Sequence, residues 1–451
     1  MVWTSSSQPL NEIEQLRRQF SIPVFNNRDF VITAFGANGD GITKNTEAFR
    51  KAIEACAASG GGRVVVPAGK FLTGPIYLKS NVNLHLQKHA AIVFSDDTSD
   101  YPIVFTRWEG MECMNYSPQL YAYGEQNIAV TGEGTLYGNA STKNWWSWSG
   151  KPEYGWQEGM PRQQPGRDAL HAMMHNHTDP RQRVFGDGHY LRPNMLQPYL
   201  CKNVLISGVT MLNAPMWFIN PVLCENVIVE KVNIRSHGIN TDGCNPEACT
   251  NVLIRNCYFD TGDDCIAIKS GRDEDGRRIG RPAENYLIED CEMKDGHGGV
   301  VIGSEVAGGV RNIYALNCTM SSPGLDRVLR IKTNSSRGGI IENVFLKNIK
   351  VGTYKKAAIY CNMFYENPGP FMPTIRNIWV EDLEVSDGGE YGVYVHAYAA
   401  SPVQHLKMVN CHFNGVKTVL KIDHVKDLQL QQVTINGNPV TMPESLPVNA
   451  Q

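Results

Sequence analysis

The sequence has no run of about 18 apolar residues, the length a helix needs to cross a bilayer, and so no membrane span is expected. It also has no excess of basic charge. Its 42 Lys and Arg stand against 45 Asp and Glu, a net charge of −3, which argues against nucleic acid as partner. A polyanion would have to be met by local positive charge. The opening Met1-Val2-Trp3-Thr4-Ser5-Ser6-Ser7 has neither a basic region nor an apolar core and is not read as a signal peptide. The expected location is cytoplasmic if the chain starts there, and periplasmic or secreted if a leader was removed. Nor is the length that of one ordinary core. At 451 residues it exceeds the ~250–300 at which single cores stop growing. Several domains would satisfy it, and so would a repeat architecture, in which each unit packs only on its neighbours.

The repeat is present. After a helical lead-in (Leu10, Ile13, Leu16 and Phe20 at helical spacing), a strand at Phe30–Thr33 and a helix that Asn45 is expected to cap, the pattern changes. Asn81-Val82-Asn83-Leu84 recurs from Asn127, Asn203, Asn226, Asn251, Asn285, Asn312, Asn343 and Asn377, with weaker copies from His405 and Asp427. Short β-branched strands between polar turns at this period mean a β-solenoid.

Four of the twelve cysteines fall in the same register. Six places after each repeat start from Asn203 onward stand Val209, Val232, Cys257, Cys291, Cys318, Ile349, Leu383, Cys411 and Val433. All are apolar, so this is an inward column in which cysteine acts as a small buried hydrophobe. Most cysteines are expected to be reduced, with Cys244–Cys249 or Cys201–Cys224 the possible bridges. The expected organisation is one domain over 1–451, with a lead-in and cap to 80, coils over 81–440 and a tail over 441–451. Two excursions interrupt it: the Trp-rich 138–190, whose indoles suit sugar rings, and the charged 271–284.

Chemistry concentrates between Asn240 and Lys332. Asn240-Thr241-Asp242, Gly262-Asp263-Asp264, Gly296-His297-Gly298-Gly299 and Arg330-Ile331-Lys332 each lie beside a copy of the repeat. Asp242 and Asp263 are 21 residues apart, near one coil, which advances ~4.8 Å along the axis. Gly262 is expected to give the freedom that lets Asp263 and Asp264 share a turn. Clustered carboxylates repel, and one protonates more readily, giving the acid and base that glycosidic hydrolysis needs. Three hard oxygen ligands also suit calcium. Arg330 and Lys332 weigh against a metal there.

These four motifs, intact and in order, resemble the signature of glycoside hydrolase family 28, the polygalacturonases. The resemblance runs from about Phe30 to about Val440. It implies a right-handed parallel β-helix, a pectin-lyase-like solenoid with an N-terminal capping helix, and hydrolysis with inversion, which needs ~6.5–9.5 Å between carboxyl groups for a water. It implies Asp263 as general acid, Asp242 and Asp264 as the pair activating water, and His297 as support for the acid. Arg330 and Lys332 would bind the galacturonate carboxylate, and Asn240 substrate. No cofactor is implied, and the partner is a pectic oligosaccharide or polysaccharide; oligomeric state is left open. The excursions resemble those of exo-acting bacterial members, in which Arg272 and Arg277 (with Arg278) would hold a second uronate. A calcium-dependent lyase, a rhamnogalacturonan hydrolase, a hydrolase of lyase-cut oligomers and a non-catalytic carbohydrate-binding β-helix are the rival readings.

Overall fold

A computed structural model describes Ser5 and Ser7–Val440; the tail expected over 441–451 and most of the opening Met1–Ser6 lie outside the described residues. The chain divides into two compact units, Phe20–Asp263, and Asp264 onward together with the N-terminal residues to Gln19.

In the Phe20–Asp263 unit, strands pair in parallel with their counterparts one coil away. Gly62–Val66, Val82–Leu86, Gln126–Gly132, Lys202–Ser207, Glu225–Glu230 and Thr250–Arg255 form one such series. A second runs from Gly69–Thr73 through Ala90–Phe94, Thr135–Tyr137, Thr210–Leu212 and Asn233–Ser236 to Tyr258–Thr261. Parallel neighbours cannot be joined by a hairpin, so each strand is followed by a whole coil before its partner arrives. The helix Thr46–Ala58 buries Phe49, Ile53 and Cys56 beside the first strands. Asn45 precedes it but does not cap it. Its amide closes the preceding turn instead, accepting from Asn38 N (2.7 Å) and donating to Thr43 O (2.7 Å).

In the second unit, Ala283–Glu289, Val310–Leu316, Ile340–Thr353, Thr374–Asp387, Val403–Phe413 and Val425–Ile435 form a like series. A six-stranded parallel sheet runs through Ile266–Ile268, Val300–Ile302, Arg327–Lys332, Ala357–Asn362, Tyr391–His396 and Thr418–Asp423. The N-terminal helix, Ser7–Arg17, starts and ends earlier than the Leu10–Phe20 spacing suggested. It lies on this unit, where Arg17 pairs with Glu289 (2.6 Å) and Glu12 accepts from Tyr314 Oη (2.7 Å).

The repeat asparagines are the corners of the coils. All nine adopt the left-handed conformation, φ between 53° and 64°, which asparagine tolerates better than other side chains. Their amides stack into a ladder. Asn127 donates to Asn81 (3.0 Å), Asn203 to Asn127 (2.9 Å) and Asn226 to Asn203 (2.8 Å). In the other unit Asn312 donates to Asn285, Asn343 to Asn312 and Asn377 to Asn343, at 2.9 to 3.0 Å. His405 and Asp427 keep the same corner and bond each other at 2.6 Å. The inward column from Val209 to Val433 is buried throughout, and all twelve cysteines are free thiols. Neither Cys244–Cys249 nor Cys201–Cys224 is bridged.

Asn312→Ala loses two ladder bonds and leaves alanine in a left-handed corner, a combined cost of about 2–4 kcal/mol. Asn312→Gly should cost about half of that, since glycine carries no penalty for the corner. Urea denaturation midpoints measure both, and equal midpoints for the two variants would show that corner strain contributes nothing.

Candidate active site

The Phe20–Asp263 unit holds Asn240, Asp242 and Asp263. Asn240 turns the chain with φ 54°. Thr241, fully buried, donates to Gly238 O (2.7 Å) and accepts from Gly262 N (3.2 Å), tying the turn before Asp242 to the turn before Asp263. Gly262 is needed here for a different reason from the one the sequence suggests. Its φ is ordinary, but a Cβ would fall well inside van der Waals contact distance of Gly238 O and 2.7 Å from Thr241 Oγ1. The two turns are pressed together, and only glycine fits.

Asp242 is buried, and its Oδ2 accepts from Asn245 Nδ2 at 2.8 Å. Behind it runs a chain of buried amides. Asn220 donates to Asn245 O (2.8 Å), while Asn194 (2.9 Å) and Gln197 (2.8 Å) donate to Asn220 Oδ1. Asn240 has its own anchor. Arg192, fully buried, donates to Asn240 Oδ1 (2.7 Å), to Ile239 O and Pro215 O (2.9 Å each) and to Gln163 Oε1 (3.0 Å). Loss of hydration pulls this guanidinium down to about 10, with Glu109, Tyr154 and Asp242 opposing the fall. Arginine only donates, so the Asn240 carbonyl must face it and the Asn240 NH2 must point the other way.

The excursion 138–190 is packed against these turns. Trp146 donates to Ala214 O (3.0 Å), and its indole lies where a Cβ on Gly238 would be. Trp145 does not serve as an open sugar platform as its loop position suggested. It is 1% exposed, with its ring against Tyr101 (5.4 Å) and Trp148 (4.7 Å). Tyr154 faces Asp263 electrostatically: burial first, then Glu153 and Asp263, raise its phenol.

The other unit holds Asp264, His297, Arg330 and Lys332. Asp264 is fully buried and accepts from Arg330 Nη1 (3.1 Å) and Lys332 Nζ (2.8 Å). Burial alone would raise its carboxyl; Lys332, Arg330 and Lys269 outweigh burial and hold it well below the usual carboxylate range. Arg330 and Lys332 alternate outward on Arg327–Lys332, as their spacing of two predicts. Cys265, next after Asp264, donates to Gly298 O (2.8 Å), next after His297. His297 is exposed, and its carbonyl accepts from Arg327 (3.4 Å). Tyr365, unremarked in the sequence, lies beside both cations, its ring centre 5.8 Å from Arg330 Cζ and 5.4 Å from Lys332 Nζ. It follows Lys332 by 33 residues, about one coil, and that interval was the available signal.

In the excursion 271–284, Arg272 and Arg277, the residues expected to hold a second uronate, are engaged in contacts of the insertion itself. Its core is a packed helix, Asp273–Ile279. Arg272 is 2% exposed and committed to Glu305 (2.7 Å), with Glu366 at 3.5 Å. Arg277 donates to Ser336 O (2.9 Å) and Arg337 O (3.1 Å) and lies over the Phe371 ring (3.8 Å). A charge buried here is stable only when paired, and these pairs hold the insertion down.

Comparison with known proteins decides the family. The model of the glycosyl hydrolases family 28 matches residues 186–436, and that of rhamnogalacturonase A/epimerase, pectate lyase-like, matches 30–85. The chain belongs to glycosyl hydrolase family 28. A probable polygalacturonase of Vitis vinifera is 30% identical over 336 residues, 72% of this chain and 60% of that protein. An exo-poly-alpha-D-galacturonosidase of Dickeya chrysanthemi is 26% identical over 444 residues, 90% of this chain and 70% of its own length. The chain thus spans less than two thirds of the first of these relatives. The crystal structure of a hyperthermoactive exopolygalacturonase from Thermotoga maritima superposes with a TM-score of 0.93 at 43% identity, covering 95% of this chain and 96% of that one. The fold is the right-handed parallel β-helix of this family.

Gly262→Ala forces the two turns apart. A loss of about 1–3 kcal/mol is expected from overpacking against backbone, read as a fall in the thermal midpoint. A variant that melts with the parent would show that the turns can separate at no cost.

Proposed function

We propose that this chain is an inverting glycoside hydrolase that cleaves α-1,4-galacturonosyl linkages of pectin, acting from the non-reducing end and releasing galacturonate. The observation that carries the reading is the Asp264 carboxylate held between Arg330 and Lys332. A base that activates water must be ionised at the moment of reaction. Two cations on a buried carboxylate keep it so even in mildly acidic surroundings, where a pectic acid is itself charged.

In this reading Asp263 protonates the departing glycosidic oxygen. Asp242 and Asp264 take a proton from water as it attacks the anomeric carbon from the opposite face, so the C–O bond to water forms as the glycosidic C–O bond breaks. His297 supports the protonated state of Asp263. Asn245 keeps one Asp242 oxygen engaged and so fixes the orientation of that carboxyl group. Asn240, turned by Arg192, offers its NH2 to a sugar hydroxyl. A guanidinium carries five N–H donors and an ammonium three. Arg330 and Lys332 can therefore hold Asp264 and a substrate carboxylate together, the arginine in a bidentate fork.

Support for exo action comes from the Dickeya and Thermotoga relatives, named as exo-acting enzymes, and from the packed excursion beside Asn240 and Asp263. The reaction as drawn needs no cofactor.

Asp263→Asn should lose nearly all hydrolysis of oligogalacturonides, a fall of about 10²–10⁴ in kcat, while keeping its circular dichroism spectrum. Product chromatography from reducing-end-labelled oligomers should give galacturonate alone as the first product. Mixed mid-length fragments would retire the exo reading, and an unsaturated product with ultraviolet absorbance would retire hydrolysis.

The pH profile gives a second check. Lys332→Met removes a cation that depresses Asp264, so burial raises the carboxyl and its ionised fraction falls at acid pH. The acid limb of kcat should move to higher pH, while the alkaline limb stays. An acid limb that does not move would show that Asp264 is not the group titrating there or not a base.

A further inference from the structure

Near the two cations that hold Asp264 lies a third that the reaction as drawn does not use. Lys269 follows the strand Ile266–Ile268, which pairs with Val300–Ile302, and that strand pairs in turn with residues 329–331. One place further along the same register, Lys269, Gly303 and Lys332 fall in one column, on the face of the sheet that carries Arg330. Gly303 is the gap in that column. Its φ is 111°, and a Cβ there would run into Lys332 O. The backbone at Gly303 is thus pressed against the backbone of the lysine that bonds Asp264.

Lys269 braces that contact. It is 3% exposed, and its Nζ donates to Gly303 O (3.2 Å) and to Glu305 Oε2 (2.9 Å). Glu305 is buried too, and its other oxygen accepts from Arg272 Nη2 (2.7 Å) and Ser304 Oγ (3.1 Å). The network runs on. Arg272 lies 3.5 Å from Glu366, and Arg337 binds both Glu366 (2.5 Å) and Asp273 (2.7 Å). Three cations and three carboxylates alternate from Lys269 to Asp273, and all but Glu366 are buried.

Stability alone is a weak reason for such a network, since well-packed apolar residues often serve a fold as well as buried ion pairs do. Its position gives a stronger one. Lys269 stands at one end, in the column of Lys332, and its charge adds to those of Lys332 and Arg330 on Asp264. Glu305 opposes it. The charged insertion 271–284 enters through Arg272, which holds the second oxygen of Glu305 and so fixes the carboxylate on Lys269.

We propose that Lys269 is a positioning residue for the hydrolysis: it braces the Lys332 strand through Gly303 and, balanced by Glu305, supplies the third positive charge that keeps Asp264 a base. The proposal rests on the hydrolase reading above and deepens it, because it gives the insertion 271–284 a part in setting the base. Lys269 and Glu305 act on Asp264 with opposite sign. Cations favour an ionised carboxyl group and anions disfavour it. Removing Lys269 therefore raises the Asp264 carboxyl, and removing Glu305 lowers it. A general loosening of the site would not produce opposite effects from two partners in one ion pair.

The test is the pH profile of kcat on oligogalacturonides, with thermal midpoints taken alongside to identify folded protein. In Lys269→Met the acid limb should move up by about 0.5–1 pH unit, while the alkaline limb stays. Adding Glu305→Gln to that variant should bring the acid limb part of the way back down. An acid limb that does not move in Lys269→Met overturns the proposal. So does a double variant whose acid limb lies at or above that of the single. Where Lys269→Met alone is too unstable to assay, the double variant is compared with Glu305→Gln, from which it differs only in the cation. The double variant should then have the higher acid limb, and coincident limbs overturn the proposal. Failure of the hydrolase reading is distinct: wild-type protein would release no galacturonate at any pH.

Discussion

Every coil of this protein has to turn a corner that ordinary side chains resist. Consecutive parallel strands are joined by a full circuit, and at the repeat position of each the chain takes a left-handed residue. Asparagine solves two problems there. It tolerates the conformation, and its amide donates to the asparagine of the coil before and accepts from the one after. A glycine would meet the first demand and break the ladder at the second, removing one bond to each neighbouring amide. The ladder fixes the register of each coil on the last, and a fixed register is what brings residues far apart in sequence onto neighbouring strands.

The functional residues inherit that precision. Strand alternation puts Leu329 and Ile331, which are 0% and 1% exposed, on one face of their strand and Arg330 and Lys332 on the other. Asp264 meets them because Cys265 and Ile266 hydrogen-bond into the Gly298-Gly299 turn, setting its strand beside theirs. Where alternation fails, at turns, close contact takes over. Thr241 and Gly262 lock two turns through one hydroxyl and the absence of one side chain. Loops rest on the same logic: the Asp273–Ile279 insertion is held by paired charges, and the Trp146 segment by an indole set against Gly238.

Much of this was legible in the sequence, and the boundary is a physical one. The coils, their corners and the cysteine column were readable because they are periodic, and a period needs no knowledge of distant contacts. The four motifs were readable because each sits at a fixed place in that period. The pairing of Arg272 with Glu305, 33 residues away, was not legible, because no period links the two positions. The burial of Trp145 was hidden in the same manner, since it packs on Tyr101, well outside the excursion, as well as on Trp148. Gly262 was correctly singled out for the wrong reason; its constraint is a neighbour's backbone, invisible along the chain. Arg192 and Asn245 fall in irregular segments with no register to mark them, and only their hydrogen bonds reveal what they hold.

The overall charge of −3 is therefore no obstacle to an acidic substrate. Long-range attraction is screened within about 8–10 Å at ordinary ionic strength, so only the charges close to the ligand matter. Around Asp264 those are Lys269, Arg330 and Lys332, and Glu305 is bound by Lys269 and Arg272. Most of the remaining acids are spent elsewhere in local pairs, such as Glu342 with Arg376 and Glu284 with Arg311 on the outside of the coils. The protein is nearly neutral because its charges cancel in place. The exception is the patch around Asp264, where three cations act on one carboxylate, and strand register, the same constraint that builds the coils, put Lys269 and Lys332 in line.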